Sequence, residues 1–541
     1  MVEHKNIVVS KRLVAVNSIS SVVTKILNIT ILFWAYQYLL TRIPAEEFAV
    51  LPVVMAVMIF APLFFTFLTS GISRYVIDSY ARGDFEGVCR IISSIVPIVA
   101  GVALAFLGIG GIFVLNIENV LNIPPQMVAS ARIMMSLLMV SFALQMVFIP
   151  FQTGYQVRQR YVELNLYSIL RDLLRLALLL SLLLIMGASV IWVVVATFVA
   201  DTLFLTVTVT RSRRMVPELR FSRQRFHLGR ARELMSFGGW TALGSLGDTM
   251  SIQGATLILN LFGTPIDVTS FYLGSTLYRQ LNTAVTIGAL PLQPALTAMH
   301  SLKDKARFGS TVLRGGRIGL WISLALAAPL GVFAEEFIDL YVGPTYMQAT
   351  WVIEVFMASI PITYSTMLLA MTAMAMAAVR AFFLPAFLNQ LAGLLLMLFL
   401  AAYLDAGAIG VALGLLIPVV VGQVFYFWPL CLKLTERSFP TFLRTVIVPG
   451  WTPALAGLFV LFPLKFAGFA DSWVSLALCA AAGGVVYLAV LLLFCLETED
   501  RRDLRSVIAW LGNGVIARRS AGRSSDDGSR PEAGARRQER T

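Results

Sequence analysis

Apolar runs of about 20 residues, the length that crosses a hydrocarbon core of roughly 30 Å as a helix, recur along this 541-residue chain. They can be marked off near 13–39, 47–70, 89–115, 127–149, 162–186, 189–210, 233–262, 268–299, 311–333, 349–376, 381–403, 408–432, 444–464 and 473–496. A helix bonds its own backbone groups and so satisfies them where no water can. The expected fold class is therefore an all-α polytopic membrane protein with 14 transmembrane helices. Composition agrees: 58% hydrophobic residues, 13% charged residues and a mean hydropathy of +0.80 exclude a soluble globule.

Lys and Arg fall on alternate connections. One side carries Lys5, Lys11, Arg12, Arg74, Arg82, Arg158, Arg160, the run Arg211 to Arg232, Lys303, Lys305, Arg307, Arg380, Lys433, Arg437 and the tail from Arg501, whereas the other carries Arg42 and Lys465. Short loops rich in Lys and Arg stay cytoplasmic, so both termini are expected inside. The net charge of +12 then reads as an orientation signal and an attraction to anionic headgroups. No nucleic-acid partner is expected, because no aromatic-interleaved basic domain accompanies the charge. Met1 to Ser10 lacks a cleavable signal pattern, so the first span is expected to be its own targeting element. The last 40 or so residues have the composition of a disordered tail. Cys89, Cys431, Cys479 and Cys495 sit in or beside spans, which argues against a disulfide framework. His4, His227 and His300 show no metal-ligand spacing.

Two consecutive spans between Trp240 and Thr297 carry polar stripes. Thr241, Ser245, Thr249, Gln253, Thr256 and Asn260 share one helical face with Asp248, and Ser275, Arg279, Asn282, Thr286, Gln293 and Thr297 share another. A charge at bilayer depth costs about 2.5–3.5 kcal/mol on insertion scales, which favours one wall of a water-filled chamber. Helix-packing contacts are the competing reading of such stripes. In the first span Ser18, Ser21, Lys25 and Asn28 repeat the theme. Lys25 either faces the same chamber or neutralises Asp248 as an ion pair. Arg171, Asp172 and Arg175 read as a local ion pair snorkelling at the cytoplasmic start of the fifth span.

Sliding the chain along itself lays Phe48 on Phe271 and Lys25 on Asp248 at one offset, and Arg160 on Arg380 at an offset slightly shorter. The expected organisation is an N-terminal lobe over 1–210, a basic linker over 211–232, a C-terminal lobe over 233–432, two further helices over 433–496 and a tail over 497–541. Halves of six helices run in the same direction, and transporters place substrate at such an interface.

Local patterns carry a resemblance. They are Thr69-Ser70-Gly71-Ile72-Ser73-Arg74-Tyr75, Ala81-Arg82-Gly83-Asp84, Gln156-Val157-Arg158-Gln159-Arg160 and the stretch from Glu336 through Tyr341-Val342-Gly343-Pro344 to Tyr346. Over roughly residues 10–496 the chain resembles the multidrug/oligosaccharidyl-lipid/polysaccharide (MOP) exporter superfamily, most closely its Wzx-type polysaccharide flippases. The resemblance implies a V-shaped, two-lobed transporter of the bacterial inner membrane that flips an undecaprenyl-diphosphate-linked oligosaccharide outward by alternating access. It implies no catalytic residue, metal or organic cofactor, and leaves proton or sodium coupling open. Implied partners are the lipid-linked substrate, membrane lipids and polysaccharide polymerase or export machinery. In the lipid II branch, cations on the first, second and eighth helices form the cavity. Lys25 and Arg279 match the first and eighth. The second span has no basic residue between Met55 and Thr69, and Arg74 follows at its end. The substrate-binding set is thus Lys25, Arg279, Arg74, Asp248, Gln253, Asn282 and Gln293.

Two other classes compete. A cation-coupled multidrug antiporter of the same superfamily usually has 12 helices, two fewer than are counted here. A polytopic glycosyltransferase, polymerase or ligase usually carries a large outer loop with catalytic carboxylates, and the longest outer connection, about Ala334 to Gln348, is short. The orientation has a direct test: a topology reporter fused within Arg211 to Arg232 is expected to read cytoplasmic, and one at Gly343 external. The reverse result would overturn the helix count.

Overall fold

The computed structural model describes residues 30, 33, 34, 36–58, 72, 76, 79, 80, 82–158, 160–225, 247, 250–289, 292, 296, 299, 300, 302, 304–376 and 378–502. Within them, every one of the 14 expected spans is helical. After a helical stretch at 36–40 come α1 (Ala45–Val57), α2 (Phe85–Leu115), α3 (Pro125–Thr153), α4 (Tyr161–Met186) and α5 (Ile191–Met215). The second half holds α6 (Met250–Phe262), α7 (Pro265–Ala289), α8 (Lys305–Val332), a short α9 (Ala334–Val342), α10 (Gln348–Ala375), α11 (Val379–Leu404) and α12 (Gly407–Thr435). Finally come α13 (Phe439–Phe466) and α14 (Trp473–Cys495). The expected loop at Ala334 to Gln348 is largely the helix α9, closed by Gly343 at φ +87°, a backbone conformation that glycine adopts without penalty.

Helix ends recur with the period seen in the sequence. Asp84 caps α2 by accepting from the Gly87 N–H (2.7 Å), and Asp304 caps α8 by accepting from the Arg307 N–H (3.2 Å). Glu47, the third residue of α1, accepts from the Val190 N–H (3.0 Å) just before α5, and Asp267, the third residue of α7, accepts from the Ala408 N–H (3.1 Å) at the start of α12. Each of these donors is one of the orphan amides that open a helix. Asp84 stands to Asp304 as Glu47 stands to Asp267, at one and the same sequence interval. The same joints are therefore made twice.

Packing sorts the helices into two groups. In the first, α2, α3, α4 and α5 pack in series; in the second, α7, α8, α10, α11 and α12 surround one another, and α13 and α14 lie against α8. Close approach of α8 and α10 needs Gly315 and Gly316, where a Cβ would stand 2.1 Å from Leu368 and 2.1 Å from the Ser365 carbonyl oxygen. π-helical turns interrupt α12 at Gln423–Phe427 and α13 at Leu443–Ile447. Pro429 and Pro449 come just after them, and a proline ring displaces the carbonyl one turn back.

The groups meet at one end. A single apolar core runs from Tyr36, Phe48 and Leu51 through Ala131 to Phe271, Ile353 and Met397, and so crosses from the first group to the second. Asn122 and Asn260 clasp across the same seam: the Asn122 N–H donates to Asn260 Oδ1 (3.0 Å) and Asn260 Nδ2 donates to the Asn122 carbonyl (2.9 Å). At the opposite, arginine-rich end each group has its own core. One is built on Ile92, Phe151 and Val209, the other on Phe308, Leu368 and Phe427. Among the described residues the halves therefore share a core at the Asn122 end only.

The chain after α14 is fastened to α8. Arg317, 2% exposed, donates to Asp500 Oδ2 (2.7 Å) and to Glu497, while Arg314 Nε donates to Asp500 Oδ1 (2.6 Å). The Arg317 guanidinium holds the Glu497 carboxyl below the ordinary range. Removing one partner of a buried pair leaves the other uncompensated, whereas replacing both by apolar groups is often neutral. Asp500→Leu is expected to cost on the order of 3 kcal/mol and to lower the thermal unfolding midpoint in detergent. Arg317→Met combined with Asp500→Leu should recover most of it, and equal midpoints for all three proteins would contradict the account.

Candidate functional site

Where the shared core ends and the halves part, the polar side chains of α7 come to the surface. Near the seam, Tyr36 and Tyr272 link the groups through their hydroxyls at 2.7 Å, with Phe48 packed edge-on to Tyr36 at 5.6 Å between ring centroids. Tyr341 of α9 donates to the Phe33 carbonyl at 2.6 Å, a second bond from one half of the chain to the other. These aromatics form a roof. Below it, two turns along α7, the Arg279 guanidinium sits 5.3 Å from the Tyr272 ring centroid and donates to Thr276 Oγ1 at 2.8 Å.

Arg279 is half-buried, and among the described residues no carboxylate pairs with it. Asn282 and Thr286, the next positions on that face, are exposed. The hydroxyls of Tyr364 and Thr286 both donate to Asn282 Oδ1 at 3.1 Å, which fixes the amide and leaves its NH₂ group to face outward as a donor. The α7 stripe thus divides with depth. Ser275 and Thr276 are buried and bonded to the Tyr272 carbonyl, whereas Arg279, Asn282 and Thr286 line open space.

The α6 stripe is more of a packing surface than its spacing implies. Thr256 and Asn260 are buried, and Asn260 is spent on the clasp with Asn122. Ser251 donates to Gln390 Oε1 of α11 at 2.6 Å. Gln253 is half-buried and makes no side-chain bond among the described residues. Lys25, Arg74, Asp248 and Gln293 lie outside the described residues.

A second charged group lies deeper than its sequence suggests. Arg171, Asp172 and Arg175 stand near the middle of α4, Asp172 about 16 Å from its first residue at 1.5 Å per residue, and not at the end of the span. Asp172 is 2% exposed and pairs with Arg171 (3.1 Å) and Arg175 (3.6 Å); Arg171 also reaches Asp201 of α5 (3.7 Å) and covers the Phe204 ring. Two acids offset two cations, as a low-dielectric site requires. Arg175 stands at the edge of this network, with Asp172 as its acid. The lone acid Asp201 inside an apolar run is the signal in the sequence, since such a residue needs a partner at depth.

No known family model matches the chain, and no curated protein does. Solved structures do. The inward closed conformation of the lipid II flippase MurJ superposes with a TM-score of 0.65 at 12% identity, over 88% of this chain and 98% of that one. An inward-facing multidrug resistance MATE family transporter of the MOP superfamily gives 0.61 at 12% identity, over 76% of this chain and 98% of that one. An outward-facing MATE transporter gives 0.54 at 13% identity, over 78% and 96%. The chain has the fold of these MOP transporters.

The geometry predicts which polar residues are wet. In a background lacking the four native cysteines, cysteines at Asn282 and Thr286 are expected to react with a membrane-impermeant thiol reagent in opened membranes, and cysteines at Ser275 and Thr256 to be protected. Equal protection at all four would mean that α7 presents a dry surface.

Proposed function

We propose that the chain is a transporter that flips an undecaprenyl-diphosphate-linked oligosaccharide across the bacterial inner membrane by alternating access, its two helix groups (1–210 and 233–432) acting as lobes. The observation that carries this reading is Arg279, half-buried on α7 beneath the Tyr36–Tyr272 roof and without a carboxylate partner among the described residues. Among the described residues the network on α4 and α5 is neutral overall, which leaves Arg279 as a cation with no acid beside it. A diphosphate needs such cations, and a guanidinium binds phosphate through two parallel bonds. Asn282, Thr286 and Gln253 offer neutral partners to sugar hydroxyls without adding charge. The extent of the fold supports the same reading. The lipid II flippase is matched over 88% of this chain, and the inward-facing MATE transporter over 76%.

In this reading the arginine-rich end faces the cytoplasm, as short basic loops do, and the headgroup enters between the parted lobes. Passage outward requires the seam to open, which breaks the Asn122–Asn260 clasp and the tyrosine pair. Both are bonds between neutral groups, each worth about 1 kcal/mol net, so the seam can be broken by modest differential binding of substrate. A second reading, a cation-coupled drug antiporter, draws on two carboxylates at mid-span, the buried Asp172 and the half-buried Asp201.

Deletion in the native host tests the first reading. Lipid-linked oligosaccharide should accumulate on the cytoplasmic leaflet and surface polysaccharide should be lost; a deletion that instead only sensitises cells to drugs supports the antiporter. Arg279→Ala should fail to restore export at normal abundance, because a water-facing residue bears little folding load. Arg279→Lys should restore part of it, since charge survives and the fork does not. Full export by Arg279→Ala would remove Arg279 from the site.

A further inference from the structure

At the arginine-rich end of the second helix group, three chain segments enclose a basic cavity distinct from the space between the halves. Arg437, just after α12, donates to the Ala306 carbonyl at 3.0 Å, and Lys305 pairs with Glu436 at 2.5 Å. These bonds draw the start of α8 against the end of α12. The segment after α14 returns to the same face through the Arg314–Asp500 bond, which brings Glu499 and Arg502 beside the first turns of α8. The enclosed volume is about 810 Å³, walled by the guanidinium groups of Arg307, Arg314, Arg437 and Arg502 and the hydroxyls of Ser310 and Thr311.

Charge in this cavity does not balance from within. Arg314 is held by Asp500, with Glu499, the one acid on the wall, 4.0 Å away. Among the described residues no carboxylate pairs with Arg307, Arg437 or Arg502. Like charges gathered on one concave wall repel, and an anion between them reverses the sign of that energy. The volume lies in the range of small-ligand sites, roughly 300–1,000 Å³. An adjoining cavity of about 460 Å³ shares Met299; most of its wall is apolar, from Phe308, Met376 and Leu434, and His300, Asp304, Lys305, Thr435 and Glu436 stand on it too. A basic pocket thus opens beside an apolar one at the end of the helices where headgroups lie.

We propose that this cavity binds a phosphate-bearing anion, with the arginines on the phosphate and the neighbouring apolar cavity receiving an attached hydrocarbon chain. An anionic phospholipid carries both parts; a free phosphate carries the first. Occupancy fastens the segment after α14 to α8, since Arg502 belongs to the wall only while that segment is docked. The site is independent of Arg279 and of the transport reading.

The test is native mass spectrometry of the full-length protein in detergent, titrated separately with phosphatidylglycerol, phosphatidylcholine and inorganic phosphate. One phosphatidylglycerol is expected to be retained where phosphatidylcholine is not. Its affinity should fall about tenfold or more in the double variant Arg307→Gln with Arg437→Gln, which removes two charge-assisted contacts. Should that variant fail to fold, Arg307→Gln with Arg502→Gln replaces it, as both side chains are exposed. Inorganic phosphate binding that the variant abolishes, without phosphatidylglycerol binding, supports the site and assigns it to a soluble phosphate. Equal binding of the two lipids, or binding of phosphatidylglycerol and phosphate unchanged by the variant, overturns the proposal.

Discussion

A polar group in hydrocarbon must find a partner or reach water, and this constraint decides what each polar residue of the chain does. Asn260 is bonded twice to Asn122, Asp267 caps one helix start and Glu47 another, and Asp172 is enclosed by two arginines. Those residues are consumed in holding the fold. Arg279 and Asn282 have donors left over after their own contacts and Thr286 has acceptor lone pairs left over, and they are the ones that face open space. Surplus hydrogen-bonding capacity, more than polarity itself, separates the candidate site from the packing.

The same constraint shapes the joint between the halves. At the Asn122 end the seam is an apolar core with a few neutral hydrogen bonds, which seals well and opens without leaving a charge in hydrocarbon. The ion pairs that bridge distant parts of the chain lie elsewhere. Glu163–Arg211, Lys305–Glu436 and Arg317–Asp500 each join helices within one half or fasten the final helices to the second. Among the described residues, ion pairs thus lie inside each group and neutral hydrogen bonds between the groups.

The duplicated joints bear on how the chain is built. Asp84 with Asp304, and Glu47 with Asp267, perform equivalent caps at a single repeat interval, although neither pair stands out when the halves are compared as sequences. Helix-start geometry tolerates little variation in the capping residue, whereas the apolar surfaces between caps can change freely as long as volume is kept. Repetition therefore persists in the caps after it has faded from the spans. The parts that break the repetition, α13, α14 and the docked segment after them, are where the basic cavity forms.

The sequence by itself determined the class, the spans and the polar face of α7, because the hydropathy of a membrane-length run and the period of a helix are local properties written in consecutive residues. It also determined that Arg279 is out of place in a lipid-facing helix. Depth and partnership were decided only by the tertiary structure. Thr256 and Asn260 share a face with Gln253, but Thr256 is buried and Asn260 is spent on Asn122 in the connection before α3. Arg171 and Asp172 read as a local pair at the cytoplasmic end of a span until the fold sets them at mid-span and brings Asp201 of α5 to Arg171. Whether a polar side chain is dry or wet depends on what packs over it, and the residues that do so here come from distant parts of the chain.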